Sequence, residues 1–437
     1  MEWLFLGCFC ALLLASMVLK FHILYALLGG YLLFFLYGLL QKHSPAALLK
    51  MSAQGIRTVR NILFLFLLIG MTTSLWRGSG TIAYLICRSA EFISPTVFPL
   101  LSFLLCSGMS FLTGTSFGTA ATVGAICMAM ANTMGLSPTL SGGAILAGSF
   151  FGDRCSPMST SALLVSALTE TDLYRNLKRM MTSAAVPLAI TCLIYLAAGF
   201  AVGDGAFSQD VLAPFSQGFS LHWITVLPAV VIVLLSLFKC KVKLTMGLSI
   251  LVSGVLCVTL QGMSPGDLVQ TALTGYTSSL PALNALLAGG GLVSMVKPFC
   301  IVCISSTFSG LFEGTGLLDG MKASTYRLGE RVTAFGSLLA VSILTCLIAC
   351  NQTLAIMLSH TLCKDSQNSQ DLAIGLENTA VVIAPLIPWS IAGAVPLASL
   401  NAPTSAILAA CYLYLIPLWN LAVHFSRKSK PPVEPVA

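Results

Sequence analysis

The chain has 437 residues, 57% of them hydrophobic and only 8% charged. Soluble domains carry roughly a quarter charged residues, so a soluble globular protein is excluded. The formal charge of +7 comes from short basic clusters between apolar runs, which points to loops at a membrane surface and not to nucleic-acid binding.

Runs of about 18 or more apolar residues recur along the chain, the mark of membrane-spanning helices. The first two, Trp3 to Val18 and Phe21 to Leu40, have no basic stretch before them. They read as retained helices and not as a cleavable signal. Further segments are predicted at 61–80, 93–111, 115–134, 138–158, 181–200 and 222–238. They continue at 244–261, 292–312, 332–349, a short piece at 351–363, 372–393 and 403–424. Residues 41–57 and 163–180 read as amphipathic segments on the inner surface, and the Pro-rich tail from Ser426 as unstructured.

Basic residues give the orientation. They cluster at Lys42, Lys50, Arg57 and Arg60, at Arg175, Lys178 and Arg179, and at Lys239, Lys241 and Lys243. Two more clusters lie at Lys322, Arg327 and Arg331, and at Arg427, Lys428 and Lys430. With all of them in the cytoplasm, an even number of segments separates each neighbouring pair. The expected architecture is an all-α polytopic membrane protein of about 12–14 segments in a cytoplasmic (inner) membrane, with both termini inside.

Self-similarity adds a second level of order. "SLWRGSGT" (74–81) resembles "GLFEGTGL" (310–317) at an offset of 236. The same offset carries "GTSFG" (114–118) onto "CNQTL" (350–354), and "AILAGSFFGDRCSPMS" (144–159) onto "AVVIAPLIPWSIAGAV" (380–395). Each match falls where Gly, Pro or small polar residues interrupt an apolar run. The first unit has its basic cluster before the helix of Trp76, and the second has its cluster after the helix of Phe312, so the repeat is expected to be inverted. Lys297, before the second helix, is the one charge against this. The predicted organisation is two N-terminal helices with a surface segment (1–56), repeat unit 1 (57–221), connecting helices (222–290), repeat unit 2 (291–425) and a cytoplasmic tail (426–437). Interrupted helices are tolerated in a bilayer where they pack in protein or line a wet cavity, and inverted repeats with such breaks characterise secondary transporters.

Chemistry is expected at the breaks. Gly114-Thr115-Ser116-Phe117-Gly118 matches the G-x-S-x-G nucleophile elbow, but that motif needs a strand-turn-helix setting that this apolar helical stretch does not offer. An intramembrane serine hydrolase using Ser116 with His360 as base is a further reading. Otherwise Thr115, Ser116 and Thr119 offer hydroxyl oxygens to a solute, or simply allow close helix packing. Ionisable residues inside the apolar runs are Arg77, Asp153, Arg154, Lys297, Glu313 and Glu377. Such residues are costly in a membrane and are either functional or paired. Asp153 reads as a carboxylate that takes a proton or a cation, or else as the partner of Arg154 or Arg77. Glu377 reads as a second such group or as an interfacial one. Arg77 and Glu313 occupy equivalent repeat positions and are expected to meet as a structural pair. Most of the fifteen cysteines sit in apolar runs as small hydrophobes, and the C-x-x-C of Cys300 and Cys303 lies inside a predicted helix. The five histidines show no metal spacing.

These residues carry a resemblance. "LWRGSGT" (75–81), "GTSFGTAATVG" (114–124), "AGSFFGDRCSPMSTSALLVSALTETDL" (147–173), "GGGLVSMVKP" (289–298), "LFEGTGLLD" (311–319), "NQTLAIML" (351–358) and "LENTAVVIAPLIPWSIAGA" (376–394) resemble the NhaC-type Na+/H+ antiporter family. The resemblance covers about residues 57–425. It implies a secondary antiporter driven by ion gradients, with candidate binding residues Thr115, Ser116, Thr119, Asp153, Ser156, Ser159, Thr160, Asn351, Gln352, Glu377 and Asn378. It implies no cofactor beyond Na+ or H+ as coupling ion, with Na+ at Asp153. It leaves a small ion or small molecule as substrate, the lipid bilayer as surroundings, and a homodimer as an allowed assembly. This chain departs from the family pattern: Thr160 replaces an Asp, Asn351-Gln352 an Asp-Gln, and Glu377-Asn378 a Glu-Asp. Fewer carboxylates weaken a cation site, so exchange of an organic anion or amino acid is the alternative.

Overall fold

A computed structural model describes residues 2–19, 23–89, 94–202, 209–238, 240, 242–317, 333–349, 351–364 and 367–428. In chain order the helices begin with α1 (Glu2–Val18), α2 (Ile23–Leu40), α3 (Pro45–Thr58), α4 (Arg60–Gly78), α5 (Thr81–Ser89) and α6 (Phe98–Thr113). There follow α7 (Ser116–Thr119), a π-helical turn (Ala120–Gly124), α8 (Ala125–Thr133), α9 (Pro138–Cys155), α10 (Thr160–Leu168) and α11 (Leu173–Val202). Then come α12 (Gln209–Gly218), α13 (Leu227–Leu237), α14 (Val242–Thr259), α15 (Pro265–Thr274), α16 (Pro281–Leu287), α17 (Gly291–Ser294) and α18 (Val296–Thr315). The last are α19 (Ala334–Ala349), α20 (Gln352–Cys363), α21 (Ser369–Asn378), α22 (Ala380–Ile383), α23 (Ile391–Leu400) and α24 (Cys411–Lys428). Among the described residues the one β feature is an isolated bridge between Tyr276 and Gly289.

The helix Leu173–Ala201 is long and apolar enough to cross a bilayer unbroken. Two helix pairs qualify as bent spans: Pro45–Thr58 with Leu63–Gly78 at 45°, and Ser369–Leu386 with Ile391–Leu400 at 52°. Phe98–Thr113 and Ala334–Ala349 are among shorter apolar helices of 10–17 residues. The protein is an all-α, polytopic membrane protein whose helices are interrupted.

The repeat is visible in the caps. Gly80 and Gly316 are equivalent positions of the two units, and both take positive φ, at 78° and 66°, just past the ends of α4 and α18. Thr115 caps α7 with φ −142° and ψ 120°, and its equivalent Asn351 caps α20 with φ −146° and ψ 129°. The third match holds with a correction. Ser137 and Asn368 cap α9 and α21, and Ser159 and Ser390 cap α10 and α23. Both of these pairs share one spacing, which is shorter than that of the earlier matches. The reason is that the stretch from cap Asn351 to cap Asn368 is shorter than the stretch from cap Thr115 to cap Ser137.

The two halves run in opposite senses. A Cβ on Gly314 would touch Met51, one on Gly310 Met51 and Gly55, one on Gly55 Ser306, and one on Gly70 Gly291. Numbers fall in one arm of this pairing as they rise in the other, so α3 and α4 lie antiparallel to α17 and α18. The small faces let the backbones approach, since a Cβ on Gly55 would overlap the Ser306 carbonyl oxygen. Within the segment expected to be amphipathic at 41–57, residues 45–58 form the first arm of a bent pair packed on α18, with Leu48, Ser52 and Gly55 buried and Lys50, Gln54 and Arg57 exposed. Of the segment expected at 163–180, residues 173–180 form the start of α11. Lys239, Lys241, Lys322, Arg327, Arg331 and Lys430 lie outside the described residues.

A close crossing of α9 on α6 leads into the site. Along α9, Gly148 and Gly152 face α6, where their Cβ atoms would overlap the Phe103 carbonyl oxygen and the Phe111 backbone nitrogen. Ser110 Oγ donates to the Ser149 carbonyl across the same contact. Replacing Gly152 by Leu should therefore destabilise the protein by roughly 1–3 kcal/mol or more, because the side chain meets the α6 backbone at Ser110 and Phe111. A lowered melting midpoint in detergent, with Gly108→Leu as a control in open space, would check this.

Candidate functional site

Helix interruptions from both halves converge. The first lies between α6 and α7. Gly114 ends α6 in the left-handed region at φ 66°, and Thr115 restarts the helix, its Oγ1 accepting from Gly118 N at 3.2 Å. Gly114 is needed for two reasons. Its φ suits a residue without a Cβ, and a Cβ there would stand 2.5 Å from the Met158 carbonyl carbon. That contact places the first break directly on the second, Ser156 to Ser159, between α9 and α10. There Ser156 Oγ accepts from Met158 N at 3.1 Å, and Ser159 Oγ accepts from Ser161 N at 3.2 Å and Ala162 N at 3.3 Å. The first break runs on into the π-helical turn Ala120–Gly124, a local irregularity often found at functional sites.

Asp153, in the last turn of α9 and 4% exposed, sits at the junction. Its Oδ1 accepts from Ser159 Oγ at 3.3 Å. Its Oδ2 accepts from Gln352 Nε2 at 3.4 Å, and Gln352 also donates to the Val381 carbonyl at 3.0 Å. Ser159 belongs to the first half, and Gln352 opens α20 just after the matching break of the second half, where Asn351 Oδ1 accepts from Thr353 N at 2.9 Å. One carboxylate is thus held from both repeats.

Beside it Arg154 is fully buried. Its Nε donates to the Glu377 carbonyl at 3.3 Å. Nη1 donates to the Met180 carbonyl and Cys155 Sγ at 3.2 Å and to the Tyr412 hydroxyl at 3.5 Å. Nη2 donates to Ser183 Oγ at 2.8 Å and to Asn378 Oδ1. Neutral groups therefore satisfy the guanidinium, and the expectation that Asp153 pairs with Arg154 or Arg77 does not hold. Glu377, on the last turn of α21, is fully buried, and neither of its carboxyl oxygens has a hydrogen-bond partner among the described residues.

Other expected residues fall differently. Thr119 is buried and donates to the Thr115 carbonyl at 2.9 Å, which stitches the restarted helix. Thr160 is exposed at the first position of α10 and is not gathered with the buried groups. Arg77 donates to the Ala288 carbonyl at 2.8 Å, fixing the loop before α17. The side chain of Glu313, its expected partner, lies outside what the structure describes. Ser116 is buried at the start of α7, and among the described residues no hydrogen bond joins it to His360. Sequence reasoning missed Ser161, whose Oγ donates to the Asp153 carbonyl at 2.9 Å, and the Arg154 partners Ser183 and Tyr412. The serine-rich run "SPMSTS" was a signal for Ser161. Nothing local marks the other two. Among the described residues no cluster of His, Cys, Asp and Glu could hold a metal ion.

Comparison with known proteins decides the class. The sequence profile of the Na+/H+ antiporter family matches residues 4–169 and 150–419. The chain belongs to the Na+/H+ antiporter family. This antiporter is 27% identical over 441 residues to the malate-2H(+)/Na(+)-lactate antiporter of Bacillus subtilis, covering 97% of this chain and 93% of the relative. It is 25% identical over 381 residues to the Na(+)/H(+) antiporter NhaC of Alkalihalophilus pseudofirmus, covering 84% and 82%. It is 26% identical over 365 residues to the arginine/ornithine antiporter ArcD of Halobacterium salinarum, covering 79% and 74%. The protein is an integral membrane, secondary active antiporter whose substrates are small ions or solutes.

Proposed function

We propose that the coupling ion binds at Asp153 and that Na+ and H+ occupy this site in turn. The observation behind this reading is a buried carboxylate held by Ser159 of one half and Gln352 of the other, at the meeting of broken helices. A bound Na+ takes the Asp153 oxygens and Ser159 Oγ. Turning over the Gln352 amide adds its Oε1. The nearby half-helix ends contribute their dipoles. When the cation leaves, a proton replaces it, because a bare charge in a dry site is costly. Glu377, buried with no donor among the described residues, is the second exchangeable position. Arg154 is the fixed internal cation. The inverted halves alternate in opening this centre to either side of a cytoplasmic membrane, with both chain ends inside.

The test is Gln352→Ala in proteoliposomes with an imposed pH gradient. Loss of a hydrogen bond to a charged group, roughly 1.5 kcal/mol, should raise the sodium concentration for half-maximal exchange about tenfold. An unchanged half-maximal concentration would count against Asp153 as the ion site.

A further inference from the structure

A cavity of about 510 Å³ lies beside this centre and plays no part in it. Its walls come from the first turns of α11, the middle of α21 and the last turns of α24. Lys178, Arg179 and His424 line it against a single acid, Asp371, which is already paired with Arg179 at 2.5 Å. The balance of the lining is positive. His424 is held in place, its Nδ1 2.8 Å from the Asn420 carbonyl and its ring stacked on Phe335. Gln367 Nε2, also in the lining, is buried with no hydrogen-bond partner among the described residues, an available donor that an incoming acceptor would satisfy. The floor is formed by Ser183 and Asn378, and their side-chain oxygens both accept from Arg154. The buried guanidinium thus stands one side chain below the cavity.

The geometry points to a binding site for a small carboxylate solute. Its oxygens accept from Gln367 Nε2 and the Lys178 ammonium, and its carbon body lies along Ile374 and Trp419. The volume falls within the usual range for small-molecule sites. This deepens the reading of Asp153 as the ion site by naming the class of solute exchanged against the ion, yet solute binding here needs no contact with Asp153. The same oxygen chemistry could come from an anionic lipid headgroup, so the experiment separates the two sources.

The purified full-length protein in detergent is melted with succinate, propionate, sodium or phosphatidylglycerol micelles. Near saturation, one of the two carboxylates should raise the melting midpoint by about 3 °C. Lys178→Gln and Gln367→Leu should each raise the concentration needed for this about tenfold and leave the sodium response unchanged. Lys178 is exposed, and at the half-buried Gln367 the change removes an amide that has no partner among the described residues, so the variants should fold. Asp153→Asn should do the reverse, losing the sodium response and keeping the carboxylate response. The inference is overturned if neither carboxylate shifts the wild type, or if the shift survives in the double variant. It is equally overturned if only phosphatidylglycerol acts and Lys178→Gln removes its effect. A sodium response that survives Asp153→Asn would instead sink the ion-site reading and leave the cavity untouched.

Discussion

Asp153→Asn should reduce ion-coupled exchange by about 100-fold or more while the protein still folds. The magnitude follows from removing the charged member of a buried ion contact, roughly 3–5 kcal/mol, at 1.4 kcal/mol for each factor of ten. Folding should survive because the change is isosteric. Asn keeps an oxygen that can accept from Ser159 Oγ, now 3.3 Å away, and the backbone carbonyl still accepts from Ser161 Oγ. Only the Gln352 contact, at 3.4 Å, must rearrange, and Gln352 keeps its bond to the Val381 carbonyl. Sodium-dependent dissipation of an imposed pH gradient in proteoliposomes measures the effect. Wild-type exchange from the Asn variant would remove Asp153 from the ion path.

Arg154→Ala should cost folding itself. The guanidinium ties α9 to α21 through the Glu377 carbonyl and Asn378, to α11 through the Met180 carbonyl and Ser183, and to α24 through Tyr412. Truncation removes the guanidinium donor from the Glu377 carbonyl and the Tyr412 hydroxyl, leaves the Met180 carbonyl and Asn378 Oδ1 with the Ser183 hydroxyl, and opens a cavity at a fully buried position. Removing one member of a buried, hydrogen-bonded charge network costs about 3–5 kcal/mol, a large part of the net stability of a typical protein. The expected result is loss of the monodisperse peak on size exclusion. Arg154→Lys should rescue it poorly, because one ammonium cannot reproduce a planar fork that reaches three helices. Full stability of the Ala variant would show that the network is incidental.

The breaks at 114 and 351 were legible because each combines a small-residue run with a residue that caps a restarted helix, Thr115 and Asn351. The inverted sense was legible from the basic residues flanking Trp76 and Phe312. The third repeat block was misaligned because the shortening between Asn351 and Asn368 leaves no mark at either of the earlier matches. Helix α23 was hidden because Ile391 to Leu400 continues an apolar run, and the break before it rests on Pro385, Pro388 and the cap Ser390. The packing of α3 on α18 was not legible, because small residues such as Ser52 and Gly55, against which a partner helix packs in a bilayer, read no differently on an exposed face. The site itself was half legible. Asp153, Ser159, Gln352 and Glu377 lie on motifs, whereas Arg154 meets Ser183 and Tyr412 only through folding.

The central claim is that two oppositely directed copies of one helical unit enclose Asp153. Reporter fusions after Ser79 and after Gly316, at the equivalent ends of α4 and α18, test it most directly. Alkaline phosphatase should be active and the corresponding green fluorescent protein dark at the first position, with the opposite pattern at the second. The same reporter active at both positions would mean that the two helices run the same way, and the exchange centre described here would lose its basis.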